Sequence, residues 1–399
     1  MALDVKTLLE LAAYYPAEID RVLDTKNPSF LQFDAELGYV LKDYIFRDGM
    51  LDTLSEYRYH SRGGHRKMIN YADRPCRINT YGDSYTQCAQ VSDGETWQEI
   101  LAAHFREPIR NFGVGGYGVY QAYLRAMRTE TMKDCSAEYI ILNIWDDDHL
   151  RNLDAARWIR VAWMCKGLPR GGGEGTYPVH GFPWNHIRWD ANREGFVELE
   201  GFCKKPEDLR KLVGKENYYN VFKDDHIVHL CVLREGGDAP TGELEKIAES
   251  MGIKVNLRDT VTRQADAVKL HWSYGMRATM YIIDKFMAWA RQNGRKLMIL
   301  LSYDAPQVRQ YLEKGTRFDE EMVEYLNKSG LLWVDFLEKA KAEYKNYNLP
   351  VNAFLEKFYI GRAGAQVFGH YNPYGNFWFA YAMRNELVDW LNPKPPAYH

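Results

Sequence analysis

The run Tyr139-Ile140-Ile141-Leu142-Asn143-Ile144 constrains the fold of this chain more than any other segment. It is apolar almost throughout, which suits a strand covered by helices on both faces; a strand with one wet face would alternate apolar and polar residues. Upstream, Ile78-Asn79-Thr80-Tyr81 reads as a short strand ending in the turn Gly82-Asp83-Ser84. Ser92 followed by Glu95 is a capping box, after which Trp97, Ile100, Leu101 and Phe105 recur at helical spacing. A second short strand near 109–112 runs into Gly113, Gly115, Gly116 and Gly118, then a helix through Tyr123, Leu124 and Met127. A helix near 278–291 closed by Asn293-Gly294, a strand at 296–301, a helix at 319–327, a strand at 331–334 and a helix at 373–391 continue the rhythm. The alternation predicts an α/β fold, a doubly wound three-layer α/β/α arrangement around a mainly parallel five-stranded sheet.

The rhythm breaks between about 151 and 259, with a glycine-rich stretch at 169–177. The expected organisation is therefore a core of 71–150 and 260–399, an inserted subdomain or lid at 151–259, and an N-terminal helical or extended segment, 1–70, packing on the core. A chain of 399 residues can bury a core of that size. Trp184, Trp189, His180 and His186 are candidates to line a substrate cleft, although aromatic residues in a small insertion also build its own core.

Net charge is only -3 and the basic residues are dispersed, which leaves no electrostatic footprint for a phosphate backbone, so nucleic acid is not an expected partner. No stretch has the length and apolarity to span a bilayer. The first twenty residues mix Asp4, Lys6, Glu10 and Glu18 into apolar positions, unlike a secretory leader. A cytoplasmic location away from membranes is the expectation. The six cysteines form no C-x-x-C pair, no zinc knuckle or redox motif is implied, and no cofactor or metal is expected. Nothing in the sequence sets the oligomeric state.

Ligands of doubly wound sheets bind beyond the carboxyl ends of the strands, where Ser84 falls. A hydroxyl there is placed to act as a nucleophile. The glycines after the second strand leave backbone N–H groups free to face the same crevice, as donors to a developing oxyanion. Late in the chain, Gly369-His370-Tyr371-Asn372-Pro373 sets a histidine just before a helix, with Asn372 as N-cap and Pro373 in the first helical position. His370 so held is a candidate general base.

These segments together resemble the SGNH (GDSL-type) hydrolases, over nearly the whole chain outside the insertion. Gly82-Asp83-Ser84-Tyr85-Thr86 is similar to the family's first block, Asn111-Phe112-Gly113-Val114-Gly115-Gly116 to its second, and His370 with Asn372, Pro373 and Gly375 to its last; Asp34-Ala35-Glu36-Leu37-Gly38-Tyr39 resembles a segment that precedes them in bacterial members. The resemblance implies a flavodoxin-like fold, Ser84 as nucleophile and first oxyanion donor, Gly116 as second donor and His370 as base. Asp83, Trp145, Asp148, Tyr117 and Trp184 become the expected substrate contacts.

Two positions depart from the family pattern. Its third block places an asparagine where this chain has Trp145-Asp146-Asp147-Asp148, with Asp147 in or beside the asparagine's place. A carboxylate accepts hydrogen bonds and repels an oxyanion, so Asp147 would serve there only when protonated. The triad acid normally lies two or three residues before the histidine, at Phe368 and Val367, and neither can orient an imidazole. Asp304 and Asp335 are the acids to consider in its stead, Asp335 with capping as its plainer role. Consecutive acids on an extended segment point apart, which argues against Asp146 to Asp148 as a metal site. The resemblance implies hydrolysis of a small ester, such as an acyl group on a carbohydrate, through an acyl-enzyme. Two alternatives stand beside it: glycoside hydrolysis by the carboxylates of Asp146 to Asp148, and a non-catalytic glycan-binding domain.

Overall fold

Backbone pairing joins five strands in one direction. They are β1 (Ile78–Tyr81), β2 (Arg110–Asn111), β3 (Tyr139–Trp145), β4 (Lys296–Ser302) and β5 (Leu332–Asp335). All four pairings are parallel, in the order β2-β1-β3-β4-β5. The computed structural model describes residues 3–166, 181–361 and 368–399; the expectations attached to 169–177, His180 and Val367 lie outside them.

Parallel strands need crossover connections, and here these carry α1 (Ser84–Gln87), α2 (Trp97–Phe105) and α3 (Val119–Thr129) around the first three strands. Both faces of the sheet are covered. On one, Asn79 Nδ2 and the Tyr81 hydroxyl donate to Glu130, just past α3, at 2.6 and 2.8 Å. On the other, Gln98 of α2 donates to Thr80 Oγ1 at 3.1 Å. Residues 139–144 of β3 are all buried accordingly. The strand order reverses between β1 and β3, and the ends of those two strands form the natural ligand crevice. α4 (Ala305–Lys314) follows β4, and α5 (Pro373–Trp390) ends the chain's regular core, with Asn372 Oδ1 accepting from Gly375 N at 2.8 Å as its N-cap.

One cap differs from expectation. Ser92 and Glu95 close a single 3-10 turn, and α2 itself begins after Thr96, whose Oγ1 accepts from Glu99 N. Thr96 enters extended before α2, so the box ends its own short turn.

The chain divides into two compact units, 42–148 with 282–399, which holds the sheet, and 1–41 with 149–281. The N-terminal boundary thus falls at 41 and not at 70, and residues 1–41 belong with the segment expected as an insertion. The reason is the helix Val5–Ala12, which buries Leu8, Leu9 and Ala12 and packs on the helices Arg157–Ala162 and Lys215–Phe222. Its apolar stripe is legible in sequence; the surface that receives it is not. In the sheet-bearing unit, residues 44–57 form an antiparallel hairpin of Tyr44–Arg47 and Leu54–Tyr57. Among the described residues no helix is long and apolar enough to cross a membrane.

Candidate active site

β1 ends at Tyr81, and the chain turns at once into α1. Gly82 has φ +153°, and a Cβ there would lie 2.2 Å from Thr86 Oγ1 and 2.5 Å from the Asn143 carbonyl oxygen, so the turn requires glycine. Asp83 is fully buried and caps α1, its Oδ1 accepting from Tyr85 N at 2.8 Å while Oδ2 lies 3.1 Å from Ser84 Oγ. This carboxylate faces the Ser84 hydroxyl and the helix end. Substrate has no access to it.

His370 Nε2 sits 2.7 Å from Ser84 Oγ. The imidazole comes from a second element, the antiparallel pair Tyr359–Gly361 and Phe368–Tyr371, just ahead of the Asn372 cap. Its other ring nitrogen faces an amide. Gln90 Oε1 lies 2.9 Å from His370 Nδ1 and also accepts the His370 backbone N–H at 2.9 Å. Because a carbonyl oxygen only accepts, Nδ1 carries the proton and Nε2 presents a lone pair to Ser84, the tautomer a general base needs.

The amide cannot turn over. Its Nε2 donates to the Asp48 carbonyl oxygen at 2.9 Å, and rotation would set an NH2 group against the His370 N–H. The backbone N–H of Gln90 donates to the Tyr57 hydroxyl at 2.6 Å, which donates onward to Asp48 Oδ2 at 3.0 Å. Gly369 makes room: a Cβ on it would lie 2.2 Å from Gln90 Oε1.

Gln90 reaches this position through two left-handed residues, Cys88 at φ 60° and Gln90 itself at φ 72°, a conformation that costs about 1 kcal/mol or more for each non-glycine residue. Arg66, buried beneath, holds the segment. Its guanidinium donates to the carbonyls of Gln87, Cys88 and Val91 at 2.7, 3.0 and 3.0 Å, to that of Glu56 at 3.1 Å, and to Asp93 Oδ1 at 2.9 Å.

The glycine loop after β2 lies against Ser84, since a Cβ on Gly115 would be 3.6 Å from Ser84 Cβ. Gly115 N is spent on Gln87 Oε1 at 2.7 Å, and Gln87 is fixed in turn by donating to the hydroxyls of Tyr44 and Tyr59 at 2.8 and 2.6 Å. Gly116 has φ +88°, and among the described residues neither its N–H nor that of Ser84 has a hydrogen-bond partner. These are the two backbone donors left for a ligand oxygen.

Beyond β3, the acids divide by role. Asp148 is buried and its Oδ2 accepts from Trp145 N at 3.0 Å, a local cap. Asp147 is half-buried, and its N–H donates to Asp146 Oδ1 at 3.0 Å. Burial, then the charges of Asp304 and Asp147, push the Asp146 carboxyl well above the usual range. Asp304 follows the neighbouring strand β4 and caps α4 through Gln307 N at 2.9 Å; burial, with Asp147 adding, pushes it up to about 6. Asp304 therefore orients a helix, and Asp335 likewise caps the helix Phe336–Tyr344 and binds Arg317. Gln90 stands where the triad acid was sought.

Of the expected substrate contacts, Trp145 is half-buried and stacks on Tyr85 with ring centroids 5.4 Å apart, and Tyr85 lies 5.0 Å from the His370 ring. Tyr117 is fully buried in the glycine loop, its N–H bonded to the Val114 carbonyl. Trp184 belongs to the other unit, where it is fully buried, stacks on Tyr39 and donates Nε1 to the Asp154 carbonyl. It builds that unit's core: Gly38 lets backbone close on its side chain, and Gly201 lets a second segment close on its backbone. Comparison with known proteins finds neither a matching family model nor a matching curated protein.

Proposed function

We propose that this chain is a serine hydrolase of the SGNH class that cleaves a small ester, such as an acyl group on a carbohydrate, through an acyl-enzyme. The observation that carries the reading is the line Ser84 Oγ, His370, Gln90 Oε1, with contacts of 2.7 and 2.9 Å. His370 Nε2 takes the Ser84 proton as Oγ attacks the ester carbonyl carbon. The tetrahedral oxyanion accepts from the N–H groups of Ser84 and Gly116. The imidazolium, steadied at Nδ1 by the Gln90 carbonyl dipole, returns its proton to the departing alcohol. Water then enters by the same route and releases the acid. An amide performing the orienting role is chemically sound, as cysteine-histidine-asparagine sites on other folds illustrate.

The glycosidase alternative is weakened by Asp148, whose carboxylate caps its own segment. The non-catalytic alternative loses its motive once Gln90 fixes the base.

The test is release of p-nitrophenol from p-nitrophenyl acetate. It should fall by about three decades or more in Ser84→Ala and in His370→Ala. Activity surviving both substitutions, or glycoside cleavage lost in Asp147→Asn, would replace this reading.

A further inference from the structure

The unit formed by 1–41 and 149–281 contains a cavity of its own, about 640 Å³, between the hairpin His186–Asp190/Gly195–Leu199 and the helices His226–Arg234 and Gly242–Ser250. One part of its lining is apolar: Val197, Leu199 and Ile247. The hairpin that carries this lining is held from its other face, where Trp189 packs edge-on against Phe196, its Nε1 donating to Ser250 Oγ at 3.0 Å and its backbone N–H to the Tyr274 hydroxyl at 2.6 Å.

The other part is polar and holds a specific request. His186 is 8% exposed, and its Nδ1 lies 3.1 Å from the Trp184 carbonyl oxygen. A carbonyl only accepts, so Nδ1 bears the hydrogen and Nε2 offers a lone pair, for which the described residues supply no donor. Burial, then the Arg188 charge, push the imidazole down to about 3, so it remains an acceptor across physiological pH. Arg188 is engaged by Asp225 at 2.7 and 3.0 Å and by the carbonyls of Leu153 and Ile187. An anion brings only lone pairs and finds no partner at His186. What suits an acceptor beside aliphatic side chains is a ring carrying hydroxyl donors on its edge and C–H groups on its face.

We propose that this cavity is a saccharide-binding site, in which a sugar hydroxyl donates to His186 Nε2 and the C–H face of the ring lies against Val197, Leu199 and Ile247. It is separate from the Ser84 crevice and does not depend on the ester reading. Asp190, Asn192 and Lys246 at the lining offer further partners for hydroxyls.

The experiment titrates the full chain carrying Ser84→Ala with methyl glucoside, methyl galactoside and diacetylchitobiose, following heat and tryptophan fluorescence. Saturable binding of at least one, with Kd in about the millimolar range, is expected. His186→Phe, and separately the exposed Lys246→Trp at the cavity mouth, should each weaken it by about tenfold or more. Lys246→Trp leaves the buried residues alone, so its result stands even where His186→Phe fails to fold. Hydrolysis of p-nitrophenyl acetate by the otherwise natural chain should be unchanged in Lys246→Trp, which separates this site from the catalytic one. No binding up to about 20 mM, binding that survives both substitutions, or preference for spermidine over every glycoside would overturn the proposal.

Discussion

The carboxamide oxygen of Gln90 accepts two hydrogen bonds from one residue, the ring Nδ1–H and the backbone N–H of His370, each at 2.9 Å. A neutral acceptor thus sets both the tautomer and the position of this imidazole. A carboxylate in that place would also stabilise the imidazolium by charge and raise its pKa by about one unit or more. The acid limb of activity in this chain should accordingly lie at lower pH than a charged partner would give.

Gln90→Glu tests that statement. The new charge raises the pKa of His370, the base is protonated to higher pH, and the acid limb of kcat/KM for p-nitrophenyl acetate should move up by about one pH unit. Gln90→Ala should lower kcat by about two decades with KM little changed. An acid limb that stays in place in the glutamate variant would remove Gln90 from its orienting role.

Gly369→Ala changes no reacting group, yet its methyl would stand 2.2 Å from Gln90 Oε1. The amide must retreat, and kcat should fall about as far as in Gln90→Ala. Stopped-flow or steady-state rates near the natural value would show that the amide has room to spare.

Asp304 gives a pH-dependent stability. Its carboxyl stands at about 6 in the folded chain against an ordinary 3.8, so between those values the folded chain holds a proton the unfolded chain has released. Stability is fully present below about 3.8 and is lost as pH rises through about 6, by roughly 3 kcal/mol for that shift. Asn retains the capping oxygen for Gln307 N without the charge. Asp304→Asn should raise Tm at pH 7 and leave it nearly unchanged at pH 4. Equal effects at both pH values in melting curves would refute the linkage.

Asn143, on β3, is 1% exposed, and among the described residues neither end of its amide has a partner. Burying such a group costs about 1–3 kcal/mol, so the similarly shaped Asn143→Leu should stabilise the chain by about 1–2 kcal/mol. Calorimetry reads this as a Tm higher by several degrees. A lower Tm would mean that the amide is bonded in solution.

The parts of the site legible in sequence are those whose cause is local. Gly82-Asp83-Ser84 ends a strand and begins a helix by turn and capping chemistry alone, and Asn372-Pro373 fixes the helix start that follows His370. The parallel sheet follows from alternation and from the apolar run at β3. Gln90 was hidden for a different reason. It lies 280 positions from His370, it is an amide where chemistry suggests an acid, and its approach rests on left-handed backbone and on Arg66, which propensity does not forecast. Residues 1–41 were hidden because an amphipathic stripe names no partner, and Trp184 because an aromatic residue beside two glycines packs as readily as it binds.

Ser84 and Gln90 belong to one short stretch of chain, residues 84 to 90, riveted by Arg66 to the carbonyls of Gln87 and Cys88. Ser84 and Gln90 therefore share one well-held stretch, and His370 comes to both from the strand Phe368–Tyr371. Moving His370 away from the stretch would break its contacts to Ser84 and to Gln90 together.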